Sequence, residues 1–215
     1  MQPVSGGDPR LEGPAATRAT LLLWRHGVTA WNADHRFQGC NADIPLSDEG
    51  LAQAAAAAPG VAALHPAAIA CSPLLRARQT CAAVEPLCGL TPLRDDRLRE
   101  IDVGEWCGRT AEEVLAADPA YAAAHAQHHD YRMGVTGETR GELGERVGAA
   151  LADCARDGAT VLVVSHGWAL QMGVAHLLGW TYAQVLALRV MGNCATSVVS
   201  REGGHWRIER WNVPA

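Results

Sequence analysis

The sequence predicts an α/β fold with a single domain of three layers, in which a mostly parallel sheet is covered by helices on both faces. Short apolar runs typical of buried strands alternate along the chain with helical segments, and this alternation is typical of a parallel sheet. The chain has 215 residues, which is enough for one α/β core. It contains neither an internal repeat nor a segment that resembles an interdomain linker.

The first strand is predicted over Ala19–Trp24, and it ends abruptly in the tripeptide Arg25-His26-Gly27. Glycine directly after an apolar run favours a tight turn, and a short helical segment is expected to follow it. In an open α/β sheet, ligands bind beyond the carboxyl ends of the strands. The first strand therefore delivers Arg25 and His26 to the place where chemistry is expected.

Further strands are predicted from apolar or β-branched runs that lie between turn residues. They cover residues 67–71, 91–94, 160–164, 194–201 and 206–211. Gly203-Gly204 separates the last two strands, and this pair predicts a β-hairpin.

Helices are predicted from apolar periodicity and from capping residues. Ser47 is the expected N-cap of a helix that extends to about Leu64, and Pro59-Gly60 is expected to interrupt it. Ser72 is the expected N-cap of the next helix, with Pro73 at its first position. Later helices are predicted over residues 111–117, 119–128, 138–156 and 168–178.

The charge composition excludes several classes of function. The formal net charge is −5, which argues against a nucleic-acid partner because such proteins usually carry a basic face. All 18 basic residues are arginine, so neither a phosphate-binding Walker lysine nor a Schiff-base lysine is available. The seven cysteines lack the two-residue spacing of zinc or redox motifs, and we expect them to be reduced thiols in a cytoplasmic protein.

No membrane partner is expected either. The chain has no apolar run near the roughly 20 residues needed to span a bilayer, and its beginning lacks the apolar region of a signal peptide. Residues 1–18 are rich in Gly, Pro and Ala without periodicity, and we expect a flexible N-terminal tail there. The remaining residues, 19–215, are expected to form the catalytic domain.

Two strand ends and one helix start carry the candidate chemistry. The guanidinium of Arg25 offers a planar fork of donors that matches phosphate, and His26 beside it is a candidate base, acid, ligand or nucleophile. A second strand ends in Ser165-His166-Gly167. Arg76 is predicted in the first turn of its helix, where the helix dipole favours anions.

Sequence blocks around these positions resemble the histidine phosphatase superfamily, the phosphoglycerate mutase-like proteins. The resemblance covers about Thr20–Trp211, and its blocks occur in the expected order. The blocks are R-H-G-x-T-x-W-N from Arg25, Q-G-x-x-x-D-x-P-L from Gln38, S-P-L-x-R-A-x-Q-T from Ser72, L-R-E-x-x-x-G-x-W-x-G from Leu98 and V-S-H-G from Val164.

The resemblance implies a role for each matched residue. His26 is the implied nucleophile that becomes phosphohistidine, and Glu100 is the implied general acid and base. The phosphate oxygens are expected to contact Arg25, Arg76 and a protonated His166. Further phosphate or substrate contacts are expected from Thr29, Asn32, Gln38, Gly39 and Gly167. Neither a cofactor nor a metal is expected, because the two arginines and the histidine supply the positive charge.

Residues 110–137 resemble the variable insertion that covers the active site and selects the substrate in this family. His125, His128 and His129 lie on one face at helical spacing, and a polar face or a substrate-lining patch is favoured over a metal site. Trp106 and Tyr131 are predicted to approach the mouth of the pocket. Trp168, Trp180 and Trp206 are predicted to pack in the protein.

Three functions remain open on the sequence alone. The favoured one is a phosphomonoesterase that releases phosphate from a small phosphorylated metabolite. The alternative is a cofactor-dependent phosphoglycerate mutase, but such mutases are typically longer and close over a strongly anionic primer. A catalytically silent phosphate-binding protein is the third, although His26 and Glu100 are both present. The apolar edge of the C-terminal strand is the surface through which a homodimer would pair.

Overall fold

The computed structural model describes residues 18–40 and 43–214, and it contains one six-stranded sheet. The strands are β1 (Ala19–Arg25), β2 (Ala68–Cys71), β3 (Leu93–Arg94), β4 (Thr160–Ser165), β5 (Thr196–Glu202) and β6 (His205–Val213). Their order across the sheet is β3-β2-β4-β1-β5-β6. The first four in this order run parallel, whereas β5 and β6 are antiparallel. The predicted mostly parallel sheet and the terminal hairpin are therefore confirmed.

The helices in the described residues fill the crossovers between these strands. They are α1 (Ala30–Ala33), α2 (Asp48–Ala62), α3 (Leu75–Ala82), α4 (Glu85–Cys88), α5 (Ala111–Ala117), α6 (Pro119–Ala126), α7 (Arg140–Cys154), α8 (Gly167–Leu177) and α9 (Tyr182–Val185). Short 3-10 turns lie at Asp96–Leu98 and Gly104–Trp106. The sequence analysis missed α4 and α9, which are one turn long.

Successive residues of β1 supply the two apolar cores, because side chains alternate between the faces of a strand. Leu22 and Trp24 pack with residues of α2 and α3 on one face. Leu21 and Leu23 pack with residues of α7 and α8 on the other. The sheet thus lies between two helical layers, as the predicted three-layer fold requires.

Two predicted helix boundaries are wrong. Pro59 does not interrupt α2, which continues to Ala62. Proline removes one backbone hydrogen bond in a helix and leaves the carbonyl four residues earlier without its donor, but here that carbonyl belongs to the exposed Ala55 and water can reach it. The helix after β2 begins at Leu75 with Leu74 as its N-cap, so Ser72 is not a cap.

The segment of residues 110–137 forms α5, α6 and a turn that packs on the rest of the domain. Tyr121 contacts Trp106, with ring centroids 4.5 Å apart, and Tyr131 stacks parallel to Trp106 at 6.3 Å. Trp106 is buried in this aromatic cluster. It therefore does not reach the pocket mouth, contrary to the prediction. No group of three potential metal ligands was found in the described chain.

No helix within residues 18–40 and 43–214 has the length and apolar character needed to cross a membrane. The predicted flexible tail, residues 1–18, lies outside the described residues except for Arg18. The guanidinium of Arg18 is 2.8 Å from the carboxylate of Glu209 on β6.

Candidate active site

The two strand-end histidines lie side by side at the carboxyl edge of the sheet. His26 follows β1 and His166 follows β4, and these strands are parallel neighbours in register. The backbone N–H of His26 donates to the carbonyl of Ser165 at 3.0 Å. The two imidazole rings are 5.1 Å apart between centroids. The pairing of the strands thus brings together two residues that are 140 positions apart in sequence.

The imidazole of His26 is buried, neutral and fixed in one tautomer. Its Nδ1 lies 2.7 Å from the carbonyl oxygen of Gly27. Because a carbonyl oxygen only accepts, Nδ1 carries the proton and Nε2 carries the lone pair. Burial holds the pKa of His26 well below its ordinary value of 6.5, and the positive charges of Arg76 and Arg25 lower it further.

The turn after His26 is held tightly from several sides. The N–H of Gly27 donates to the hydroxyl of Thr80 on α3 at 3.0 Å. A Cβ atom at Gly27 would lie 2.5 Å from the carbonyl oxygen of Gly50, and one at Gly50 would lie 2.0 Å from that of Val28. Only glycines at both positions allow the start of α2 to approach this turn so closely.

Asn193 also holds the turn, and the sequence analysis did not identify it. Its side-chain amide donates to the carbonyl oxygens of His26 and Gly27 at 3.2 Å each, and to Oδ1 of Asn32 at 3.1 Å. Asn193 lies in the loop before β5, far from His26 in sequence. No motif in the sequence indicated this contact.

Arg25 and Arg76 bring two positive charges to the site. Arg76 is 1 % exposed and its Nη2 donates to the carbonyl oxygen of Gly39 at 2.8 Å. Burial lowers its pKa to about 10, while Glu100 acts in the opposite direction. Arg25 donates from Nη1 to the carbonyl oxygen of Met191, and burial lowers its pKa as well. Both guanidinium groups carry a positive charge at neutral pH, because arginine is not deprotonated in proteins.

The imidazole of His166 is fully buried close to Arg25, Arg76 and His26. Burial holds its pKa well below 6.5, and Arg76, His26 and Arg25 lower it further. The imidazole is therefore neutral in this structure, and its protonation beside a bound phosphate stays a prediction. Its Nε2 lies 2.7 Å from the hydroxyl of Ser72.

Two buried nitrogen atoms beside the histidines have no hydrogen-bond partner within the described part of the chain. They are Nδ1 of His166 and Nε of Arg25. Buried polar atoms are almost always paired in native proteins. Buried nitrogen atoms without partners, beside two charged arginines, suit the binding of an anion.

Glu100 is held at the amino end of α8. Its carboxylate accepts hydrogen bonds from the backbone N–H groups of Trp168 at 3.2 Å and Ala169 at 2.9 Å, and from its neighbour Ile101 at 3.0 Å. Glu100 thereby lies at the edge of the same cavity as His26, Arg25 and Arg76.

Arg25, His26, Arg76 and Glu100 line a cavity of about 510 Å³, and His166 lies behind them and is not a lining residue. Of the predicted contact residues, Asn32, Gln38, Gly39 and Gly167 also line it. Thr29 does not, because it is fully buried and its hydroxyl caps α1 through Asn32. The remaining lining residues are Trp31, His35, Arg36, Phe37, Ile101, Val103, Ala111, Trp168, Val190 and Asn193.

Comparison with known proteins places this geometry in a family. A family model described as the histidine phosphatase superfamily (branch 1) matches residues 21–214. The chain belongs to the histidine phosphatase superfamily. The resemblance noted in the sequence is therefore confirmed over nearly the whole described domain.

The relatives of this superfamily member differ in their named activities. A probable phosphoglycerate mutase of Enterobacter sp. (strain 638), GpmB, is 34% identical over 195 residues, which cover 90% of each chain. A structure named mycobacterial hydrolase 1 matches with a TM-score of 0.84 at 31% identity, covering 92% of this chain and 100% of the other. A mycobacterial glucosyl-3-phosphoglycerate phosphatase matches with a TM-score of 0.81 at 31% identity, covering 91% and 99%. Phosphatases and mutases both transfer phosphoryl groups, so the comparisons support a phosphoryl-transfer enzyme.

Proposed function

We propose that this protein is a metal-independent phosphomonoesterase that hydrolyses a small phosphorylated metabolite through a phosphohistidine on His26. The observation that carries the proposal is the state of His26. Its imidazole is neutral, and the N–H at Nδ1 donates a hydrogen bond to the carbonyl oxygen of Gly27. The ring lies at the edge of a cavity that two buried arginines also line. A neutral ring nitrogen with a free lone pair is a competent nucleophile toward phosphorus.

In the first step, Nε2 of His26 forms a bond to phosphorus while the bond between phosphorus and the ester oxygen breaks. Glu100 gives a proton to the departing oxygen, which leaves as an alcohol. Arg25 and Arg76 stabilise the negative charge on the three phosphoryl oxygens. His166 adds a donor beside them, and a bound dianion would favour its protonated form.

In the second step, Glu100 takes a proton from a water molecule, and the oxygen of that water forms a bond to phosphorus. The bond between phosphorus and Nε2 breaks, and inorganic phosphate leaves the neutral imidazole of His26 behind. Preorganised donors of the kind that Arg25 and Arg76 provide are typically worth roughly 3 kcal/mol of barrier each.

Phosphoglycerate mutase is the second candidate, and the identity to probable phosphoglycerate mutases favours it. Its first step is the same, but the phosphohistidine returns its phosphoryl group to a phosphoglycerate instead of to water. The product therefore distinguishes the two functions, whereas the identity of the nucleophile does not.

The proposal is tested by measuring phosphate release from 4-nitrophenyl phosphate and from a panel of cellular phosphomonoesters in EDTA. We expect wild-type protein to release phosphate under chelation and His26→Ala to release none. His205→Ala changes an exposed histidine on β6 and serves as the control with wild-type activity. If folded wild-type protein interconverts 3- and 2-phosphoglycerate but releases no phosphate, the phosphatase proposal is wrong and the mutase replaces it.

A further inference from the structure

We infer that the leaving group of the natural substrate is uncharged and presents a flat apolar face, as the ester of an aromatic alcohol does. This inference rests on the proposed phosphatase function and concerns the part of the substrate beyond the phosphate. It is based on four side chains, Trp31, Phe37, Trp168 and Val190, which we call the apolar wall.

Trp168 places the apolar wall beside the expected position of the leaving group. Its backbone N–H donates to the carboxylate of Glu100, the proposed proton donor to the departing oxygen. Trp168 also lines the same cavity, and its side chain is half-buried there. An alcohol that takes its proton from Glu100 is therefore adjacent to the indole of Trp168.

The indole of Trp168 is supported by its neighbours rather than free to swing away. The guanidinium of Arg140 lies 4.8 Å from the ring centroid, and this cation–π contact favours a fixed ring. Arg140 itself donates to the hydroxyl of Tyr182 at 2.8 Å. The ring of Phe37 lies 5.8 Å away, tilted by 49°. Phe37 and Trp168 thus form a preformed aromatic corner of the cavity.

The charges of the cavity lie mostly at the phosphate end. Arg25 and Arg76 are buried beside His26. Farther out, Arg36 donates to the carbonyl oxygen of Gly108 at 2.8 Å and lies 3.9 Å from the carboxylate of Asp34. A carboxylate on the leaving group would therefore meet an arginine that already has partners, beside aromatic rings that offer it no hydrogen bond.

The polar groups left for a leaving group are few, and they include His35 and the side chain of Gln38, whose Oε1 has no partner among the described residues. Gly39 gives its carbonyl oxygen to Arg76, and the amide of Asn193 is used by the turn after His26. An apolar leaving group instead gains free energy from each square ångström of apolar surface that it removes from water. The cavity thus favours an apolar alcohol over a phosphoglycerate.

The test uses three esters of primary alcohols, so that the basicity of the departing oxygen is similar in each. They are 2-phenylethyl phosphate, glycerol 3-phosphate and 3-phosphoglycerate. We expect kcat/KM of wild-type protein to be about 10-fold or more higher for 2-phenylethyl phosphate, as burial of several methylene-sized groups allows. Trp168→Ala is expected to lower this preference about 10-fold, because it removes the ring but keeps the backbone donor to Glu100.

Two further variants make the result specific. Trp168→Phe is expected to restore most of the preference, since it returns an aromatic face. Trp206→Ala is the control, because Trp206 lies on β6 against Arg201 and is not a cavity residue; its preference should equal that of wild type.

The outcomes separate this inference from the proposed function. Equal rates on the three esters, a preference for 3-phosphoglycerate, or an unchanged preference in Trp168→Ala would overturn the apolar leaving group. In each of these cases, hydrolysis that depends on His26 would leave the phosphatase proposal intact. Failure of wild-type protein to hydrolyse any ester would instead reject the phosphatase proposal, and this inference with it.

Discussion

Arg146 and Glu138 form a bidentate ion pair that holds the chain on both sides of Glu100. The two contacts between guanidinium and carboxylate are 2.7 Å each. Arg146 also donates to the carbonyl oxygens of Arg99 at 2.7 Å and Glu100 at 2.9 Å. Glu138 accepts from the backbone N–H of Asp102 at 2.8 Å. The ion pair therefore fixes the backbone of Glu100, the proposed acid, through Arg146. The amino end of α8 fixes its carboxylate.

Removing this ion pair should misplace Glu100. We expect Arg146→Lys to lower kcat for alkyl phosphates by up to about 100-fold, since an ammonium group cannot replace the fork and small displacements of a catalytic group cost that much. KM should change little. The defect should shrink for 4-nitrophenyl phosphate, whose leaving group needs no proton. Equal defects on both substrates would show that Arg146 does not act through Glu100. Arg207→Ala changes an exposed arginine on β6 and serves as the control with wild-type activity.

The two glycines of α2 should respond oppositely to alanine. Gly50→Ala places a Cβ atom 2.0 Å from the carbonyl oxygen of Val28, so the turn that carries His26 must move. We expect activity to fall at least about 10-fold and stability to fall by roughly 2 kcal/mol. Gly60→Ala meets nothing within 4 Å and should stabilise the protein by up to about 1 kcal/mol. Urea unfolding and phosphate release measure both, and a neutral Gly50→Ala would contradict the close approach.

The buried neutral histidines should make the protein less stable in mild acid. In the unfolded chain His26 and His166 protonate near their ordinary pKa of 6.5, whereas in the folded protein both pKa values lie well below it. The unfolded state therefore binds more protons as pH falls below about 6.5, and stability is lost there by at most roughly 1.4 kcal/mol per pH unit for each histidine.

Urea unfolding between about pH 7.5 and pH 5.5 tests this expectation, because the ordinary pKa values of carboxylates lie below that window. His166→Asn should show a smaller loss of stability over the same interval than wild type. A wild-type free energy of unfolding that does not change across the window would contradict neutral burial of the two histidines.

Anion binding should protonate His166. Burial and the nearby arginines lower the pKa of His166 and keep its imidazole neutral. The negative charge of a phosphate dianion nearby raises that pKa, because it stabilises the protonated ring. The test is calorimetric titration with phosphate near pH 8, because free phosphate is already dianionic at that pH. Titrations in buffers of different ionisation enthalpy should show that the protein takes up close to one proton on binding. His166→Gln should take up less. Uptake that is unchanged in this variant would assign the proton to another group.

The positions of the main site residues could be predicted because local sequence determines them. The apolar run before Arg25-His26 and the β-branched run before Ser165-His166 each specify a strand and its end. Parallel pairing then places both ends at one edge of the sheet. Arg76 follows from the helix that begins after β2, even though the predicted cap, Ser72, has another role.

The remaining features depend on contacts between distant segments, which no local pattern encodes. Asn193 is recognised only when the loop before β5 is seen to lie over His26. Ser72 was assigned to a helix cap because Ser-Pro is a good helix start, yet its hydroxyl lies against His166. Trp168 packs against the core as predicted, but it also lines the cavity, which the sequence does not show. The neutral state of His166 follows from burial among arginines, and the sequence does not show burial.

The proposed mechanism requires that Nε2 of His26 is the nucleophile that attacks phosphorus. Trapping the phosphohistidine intermediate tests this most directly. Wild-type protein and Glu100→Gln are mixed with 4-nitrophenyl phosphate, whose leaving group needs no proton from Glu100, quenched in alkali within milliseconds to seconds, digested, and examined by mass spectrometry. We predict one alkali-stable, acid-labile phosphoryl group on the peptide that contains His26, with more of it in Glu100→Gln because that variant cannot activate water. A phosphoryl group on any other residue, or turnover of substrate by His26→Ala, would contradict the account.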